Sequence, residues 1–131
     1  MTYSRREIAL TGALAAAGLA GEAKAAPAGG APLYGLISQV IAAPEQRDAL
    51  ARILVEATAE LPGCLSFIVA ADAGRDDALW ITEAWTSKES HDASFSLPKV
   101  AAGLEKGRAL ITGVGARAET TPVGGLGLGR R

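Results

Sequence analysis

One cysteine, one histidine, one methionine and no asparagine occur in the 131 residues, and aromatic side chains make up only 5% of them. Each scarcity closes off a class of function. With Cys64 alone there is no internal disulfide, and Cys64 with the lone His91 cannot assemble a zinc site built from several Cys and His ligands. A carboxylate-rich metal site has no support in the spacing either. Cys64 follows Pro62-Gly63 at the start of an apolar run and reads as a small buried residue rather than a reactive thiol. Thirteen basic residues against fourteen acidic ones leave no positive excess to hold phosphates, so no nucleic-acid partner is expected. The apolar run at 8–20 is shorter than the ~20 residues that cross a bilayer, which argues against a membrane span.

That run instead fits an export address. Arg5 and Arg6 precede it, and Ala23-Lys24-Ala25 ends it with a small-x-small cleavage pattern. Ser4-Arg5-Arg6-Glu7-Ile8-Ala9-Leu10 resembles the twin-arginine signal of bacterial export, with Ile8 where that signal usually has Phe. Residues 1–25 are therefore expected to be a signal peptide that sends a folded protein to the periplasm or beyond. The alternative is a tail that is never cut. The positive mean hydropathy, +0.21, owes part of its value to this leader.

Residues 26–32 are rich in Ala, Pro and Gly and read as a flexible lead-in. Ordered structure is expected over 33–122, with a glycine-rich tail at 123–131. The β-formers of 33–42 predict a first strand. Pro44 opens a helix whose inward residues are Leu50, Ile53, Leu54, Ala57 and Leu61, with Asp48 and Arg52 paired on the outer side. Strands follow at 64–71 and 78–85, separated by the turn residues Asp72-Ala73-Gly74-Arg75-Asp76-Asp77. Thr86 with Glu89 three residues later predicts a capped helix carrying His91, Ser94 and Phe95 on one face. A second short helix starts at Pro98 with Val100, Ala101 and Leu104 inward, and 114–121 is the last strand.

The resulting order, strand, helix, strand, strand, helix, strand, is the α+β ferredoxin-like split βαββαβ arrangement, an antiparallel sheet with helices on one side. On the second strand Leu65, Phe67 and Val69 share one face, while Ile68 and Ala70 keep the other apolar. A single helical layer leaves that other face to water. Self-association through it as a homodimer is the physical expectation.

The stretch LPGCLSFIVAAD followed by ALWITEAWTSKESHDASF resembles the antibiotic biosynthesis monooxygenase domain family, of the quinol monooxygenase type. Pro62-Gly63 leading into a strand, Glu83-x-Trp85 and a helix two residues later carry the likeness, which spans 34–122. The resemblance implies a dimeric α/β barrel made by two sheets packed face to face. It also implies oxidation of an electron-rich quinol or polycyclic phenol by molecular oxygen with no flavin, haem or metal cofactor. A deprotonated quinol is itself a reductant, so the protein need supply only a base, a dry cavity and an anion stabiliser. Members of the family often place a histidine about nine residues beyond the Trp. Here Ser94 stands there and His91 lies one helical turn earlier.

His91 is thus a candidate general base for a phenolic proton or, alternatively, a structural histidine beside Phe95. Trp85 and Phe95 read first as core and second as walls for an aromatic substrate. Trp80 points to the opposite face, toward the expected dimer contact. Glu83 sets a carboxylate on an otherwise apolar face and needs a partner, for which Arg108 and Arg117 are the candidates, as an ion pair or as an oxyanion-stabilising arginine. The GGLGLG of the tail has no following helix to hold a phosphate and is discounted. Two readings remain from different classes: a cofactor-independent monooxygenase, and a non-catalytic ligand-binding or stress-associated dimer that keeps the cavity alone. Haem degradation, found on related folds with an Asn, Trp and His set, is disfavoured because no Asn occurs and no Trp follows Trp85.

Overall fold

Period-two patterning at 64–71 and 78–85 becomes an antiparallel hairpin in the computed structural model, which describes residues 32–128. The described elements run β1 (Tyr34–Ala42), α1 (Arg47–Ala57), β2 (Cys64–Ala71), β3 (Ala78–Trp85), α2 (Lys88–Ser94), α3 (Pro98–Arg108) and β4 (Ile111–Thr120). The strands form one open antiparallel sheet in the order β2-β3-β1-β4, the ferredoxin-like topology that the element order predicts. The export signal expected at 1–25 lies outside the described residues. So does the end of the glycine-rich tail.

Register decides which side chains meet. Tyr34 opposes Trp85, Leu36 opposes Glu83 and Val40 opposes Leu79 across β1 and β3, while Phe67 of β2 opposes Glu83 from the other side. These residues share the face on which the helices lie. Val40, Ala42, Leu79 and Ile81 pack there with Leu50 and Leu54 of α1. A second cluster, Tyr34, Leu36 and Trp85, occupies the other end of the same face with Leu61 and Cys64 at its edge. Phe67 touches both clusters and joins them. Leu50, Leu79 and Trp85 are the largest fully buried side chains, each contributing about 1.5–3 kcal/mol through removal from water.

The opposite sheet face is bare among the described residues. Ile37 and Ile68 are 37% and 56% exposed there, beside Ala70, Trp80 and Ala118 in the strand register. Trp80 is half-buried, because its indole Nε1 donates to Asp72 Oδ2 at 2.7 Å and ties the ring to the β2–β3 turn. Asp72 also accepts from the backbone N–H groups of Gly74 and Arg75. The turn is therefore organised by one carboxylate.

Several local expectations are corrected. Helix α1 starts at Arg47 rather than Pro44, since Glu45 takes a positive φ of 65° and forms a turn; Leu61 lies beyond its end. Asp48 meets Arg47 at 3.9 Å, and no pairing with Arg52 forms. The α2 cap is Ser87, not Thr86: its Oγ accepts from Ser90 N at 3.1 Å. On α3 the inward residues are Val100, Gly103 and Gly107, while Ala101 is exposed. Close approach of α1 explains this, since a Cβ at Gly103 would stand 2.5 Å from Ala57 Cβ. Strand β4 runs Ile111–Thr120, starting three residues before the expected 114.

Candidate functional site

Gly63 and α2 build the site end of the sheet. Gly63 adopts φ 81°, and its carbonyl accepts from Thr86 N at 2.8 Å. A Cβ there would lie 2.6 Å from Ser90 Cβ, so only glycine lets the 61–64 turn close onto the start of α2. The helix is thereby pressed against the Tyr34–Trp85 end, and His91, one turn in, is driven into the protein at 7% exposure.

Three aromatic rings surround that imidazole. Tyr34 lies 5.0 Å away, tilted by 51°; Trp85 and Phe95 stand edge-on at 5.4 Å and 5.1 Å. Trp85, at 1% exposure, is core. Phe95, at 48%, forms the open flank of the cluster. A basic partner also caps Tyr34 from outside, with Lys88 Nζ 5.6 Å from its ring centre.

Glu83 enters from β3. Its Oε1 accepts from Trp85 Nε1 at 2.9 Å and lies 3.9 Å from His91 Nε2, with both side chains only 9% exposed. Burial pushes the Glu83 carboxyl above the usual carboxylate range; the Trp85 hydrogen bond, His91 and Arg117 pull the other way. Burial likewise raises the Tyr34 phenol, aided by Glu119, and raises the Cys64 thiol, which keeps that thiol protonated. On the other side of the imidazole, Nδ1 sits 2.9 Å from Asp92 Oδ1. That carboxyl is held below its ordinary range, first by His91 and then by Lys88.

Of the residues expected at a site, the structure brings together Glu83, Trp85, His91 and Phe95. Arg108 is apart, exposed at the end of α3 and without a hydrogen bond or ion pair among the described residues; the arginine acting on Glu83 is Arg117. Ser94 is buried, but its hydroxyl donates to His91 O at 2.6 Å and is spent within the helix. Tyr34, Lys88 and Asp92 belong to the cluster and were not singled out in the sequence, Tyr34 passing as a strand former. Among the described residues no three His, Cys, Asp or Glu side chains converge as metal ligands, and no helix is long and apolar enough to cross a membrane.

Chemically, the arrangement offers a base and a buried carboxyl side by side under aromatic walls. An oxygen atom about 2.8 Å from each would bridge the 3.9 Å between His91 Nε2 and Glu83 Oε1.

The family model for antibiotic biosynthesis monooxygenase matches residues 34–106, more than half the chain. The crystal structure of a "putative Antibiotic biosynthesis monooxygenase" from Chloroflexus aurantiacus J-10-fl is 54% identical, with a TM-score of 0.73, over 74% of this chain and 99% of that one. Proteins described in the same words from Caulobacter crescentus CB15 and from Bacteriodes thetaiotaomicron VPI-5482 share the fold. They are 12% and 18% identical, with TM-scores of 0.64 and 0.62, over 72% and 70% of this chain and 92% and 90% of theirs. Among curated proteins, none matches. Fold, motif and sequence likeness agree: the chain belongs to the antibiotic biosynthesis monooxygenase family.

Proposed function

We propose that this protein is a cofactor-independent monooxygenase that oxidises a quinol-like or polycyclic aromatic substrate with molecular oxygen. One observation carries the reading: a buried His91–Glu83 pair, 3.9 Å apart and walled by Tyr34, Trp85 and Phe95. His91 Nε2 takes the proton of a ring hydroxyl, giving an electron-rich phenolate and an imidazolium. The substrate then supplies all four electrons that dioxygen needs. A quinol and O2 become a hydroxyquinone and water, one oxygen atom entering the ring and the other leaving as water. Aromatic walls and low exposure support the desolvation such an anion requires. The bare sheet face with Ile37 and Ile68 supports a homodimer in which two sheets close into a barrel. We place the mature protein in the periplasm or outside the cell, on the strength of Arg5, Arg6 and the Ala23-Lys24-Ala25 pattern.

Ser94, standing where the family often has histidine and spent on a helix carbonyl, favours a second reading: a dimer that binds aromatic ligands without turning them over. Oxygen uptake separates the two. With a panel of quinols and metal-free, flavin-free protein, the wild type consumes oxygen above autoxidation and His91→Ala falls by about a hundredfold, the lower range for loss of a general base. No uptake above background with tight quinol binding would establish the binding protein instead.

A further inference from the structure

We propose that Asp92 is the positioning residue for His91, fixing its Nδ1–H tautomer so that Nε2 presents a lone pair to the buried side of the site. The inference rests on His91 as the proton acceptor, but concerns a residue that no motif marks. Its basis is geometric. Nδ1 lies 2.9 Å from Asp92 Oδ1, while Nε2, on the far side of the ring, looks inward to Glu83 Oε1 at 3.9 Å. An ionised carboxylate accepts hydrogen bonds and cannot donate them, so the neutral ring must place its proton on Nδ1. The remaining nitrogen, Nε2, is then the only one that can take a proton. It is also the one that faces Glu83.

Asp92 is itself held in that role. Lys88, one helical turn earlier, reaches both of its oxygens at 3.1 and 3.4 Å. Both contacts favour the ionised form of Asp92. The other groups facing the ring are Glu83 from β3 and the uncharged rings of Tyr34, Trp85 and Phe95. When Nε2 accepts a proton the imidazolium lies between two carboxyl groups, one exposed and one buried. The division of labour is that of a carboxylate orienting a catalytic histidine, here supplied by the next residue in the chain.

The single histidine makes the test direct, because an imidazole spectrum of the whole protein contains one ring. Long-range 1H–15N correlation on full-length, 15N-labelled protein, above the pH at which the ring is neutral, is expected to show protonated Nδ1 and bare Nε2. An unconstrained histidine prefers the reverse. Asp92→Ala should return the ring to a majority Nε2–H form, whereas Asp92→Glu, which keeps a carboxylate that can only accept, should hold Nδ1–H. A wild-type ring protonated on Nε2, or an Asp92→Ala ring unchanged from wild type, overturns the proposal. Oxygen uptake adds a second readout. Asp92→Ala lowers kcat by about threefold to tenfold with KM within about twofold, and Asp92→Glu restores most of it, the modest size following from the half-exposed carboxylate. An Asp92→Ala kcat equal to that of wild type would likewise overturn it. If the wild type consumes no oxygen at all, the monooxygenase reading fails alone, since the tautomer still decides the place of Asp92. Thermal melts of the variants, expected within a few degrees of wild type, separate a positioning loss from an unfolded helix.

Discussion

Trp85 donates its indole N–H to the carboxylate of Glu83, two residues back on the same strand and the same face, at 2.9 Å. The Glu-x-Trp spacing thus has a physical meaning. Alternation along β3 sets the two side chains side by side, so the Trp supplies the donor that a buried carboxylate needs.

Removing that donor should be costly. Trp85→Phe keeps an aromatic ring in the core but leaves Glu83 Oε1 without the N–H, a loss of about 1–3 kcal/mol. Urea unfolding measures it. Trp85→Phe combined with Glu83→Gln should lose less than the single change, because a neutral amide tolerates the missing donor better than a carboxylate does.

Glu83→Gln by itself should stabilise the protein at neutral pH. A carboxyl whose folded-state pKa is raised by burial favours folding most below its unfolded value, near 4.5, and loses that contribution as pH rises through the folded value. Wild-type stability should therefore decline over that rise. The glutamine variant should show a flatter melting profile above pH 4.5, with a higher melting temperature than wild type at pH 7. A lower one would mean that the ionised carboxylate, not its burial, dominates the balance.

Gly63→Ala tests how the site is closed. Its positive φ and the 2.6 Å approach to Ser90 Cβ both penalise a methyl group, and about 1–3 kcal/mol of stability should be lost. Because α2 must shift to make room, the environment of His91 should change as well. A displaced His91 ring proton in NMR spectra is the accompanying sign.

Gly103→Ala sets two effects against each other. Alanine gains about 1 kcal/mol in a helix, yet its methyl group would stand 2.5 Å from Ala57 Cβ, and overpacking costs about 1–3 kcal/mol. Net destabilisation is expected by calorimetry. Adding Ala57→Gly removes the clash and should recover most of the loss.

Ile68→Asp tests self-association. Ile68 is 56% exposed on the bare face, so the monomer should tolerate the charge while a sheet-to-sheet contact would not. Light scattering should show a dimer for the wild type and half that mass for the variant. A wild type that is monomeric at tens of micromolar would remove the barrel arrangement.

Much of this arrangement was legible in the sequence, for reasons that differ by element. β2 and β3 declare themselves through alternation bounded by Pro62-Gly63 and the Asp72–Asp77 turn, and the structure starts and ends them at the same residues. Pro44 misled, because a proline suits both a first helical turn and a simple turn, and the positive φ of Glu45 chooses the latter. Gly103 and Gly107 are the contact surface that lets α1 approach, a role that helix propensity does not signal. Arg108 and Arg117 were equivalent in the sequence, and only the pairing of Ser38 with Arg117 puts the second on the face of Glu83. Asp92 had no pattern to reveal it. An acid beside a histidine on a short helix becomes informative only when the ring's orientation is known.

The two apolar clusters, which among the described residues share Phe67, carry an evolutionary consequence. The larger cluster lies under α1, where Leu50, Leu54, Leu79 and Ile81 are shut away, while His91 is carried by a seven-residue helix. Amino-acid replacement at the open flank of the imidazole, where Phe95 is 48% exposed, can therefore proceed with less risk to the scaffold than replacement at the buried Trp85 wall. A lineage built this way is free to vary that flank while its frame stays unaltered.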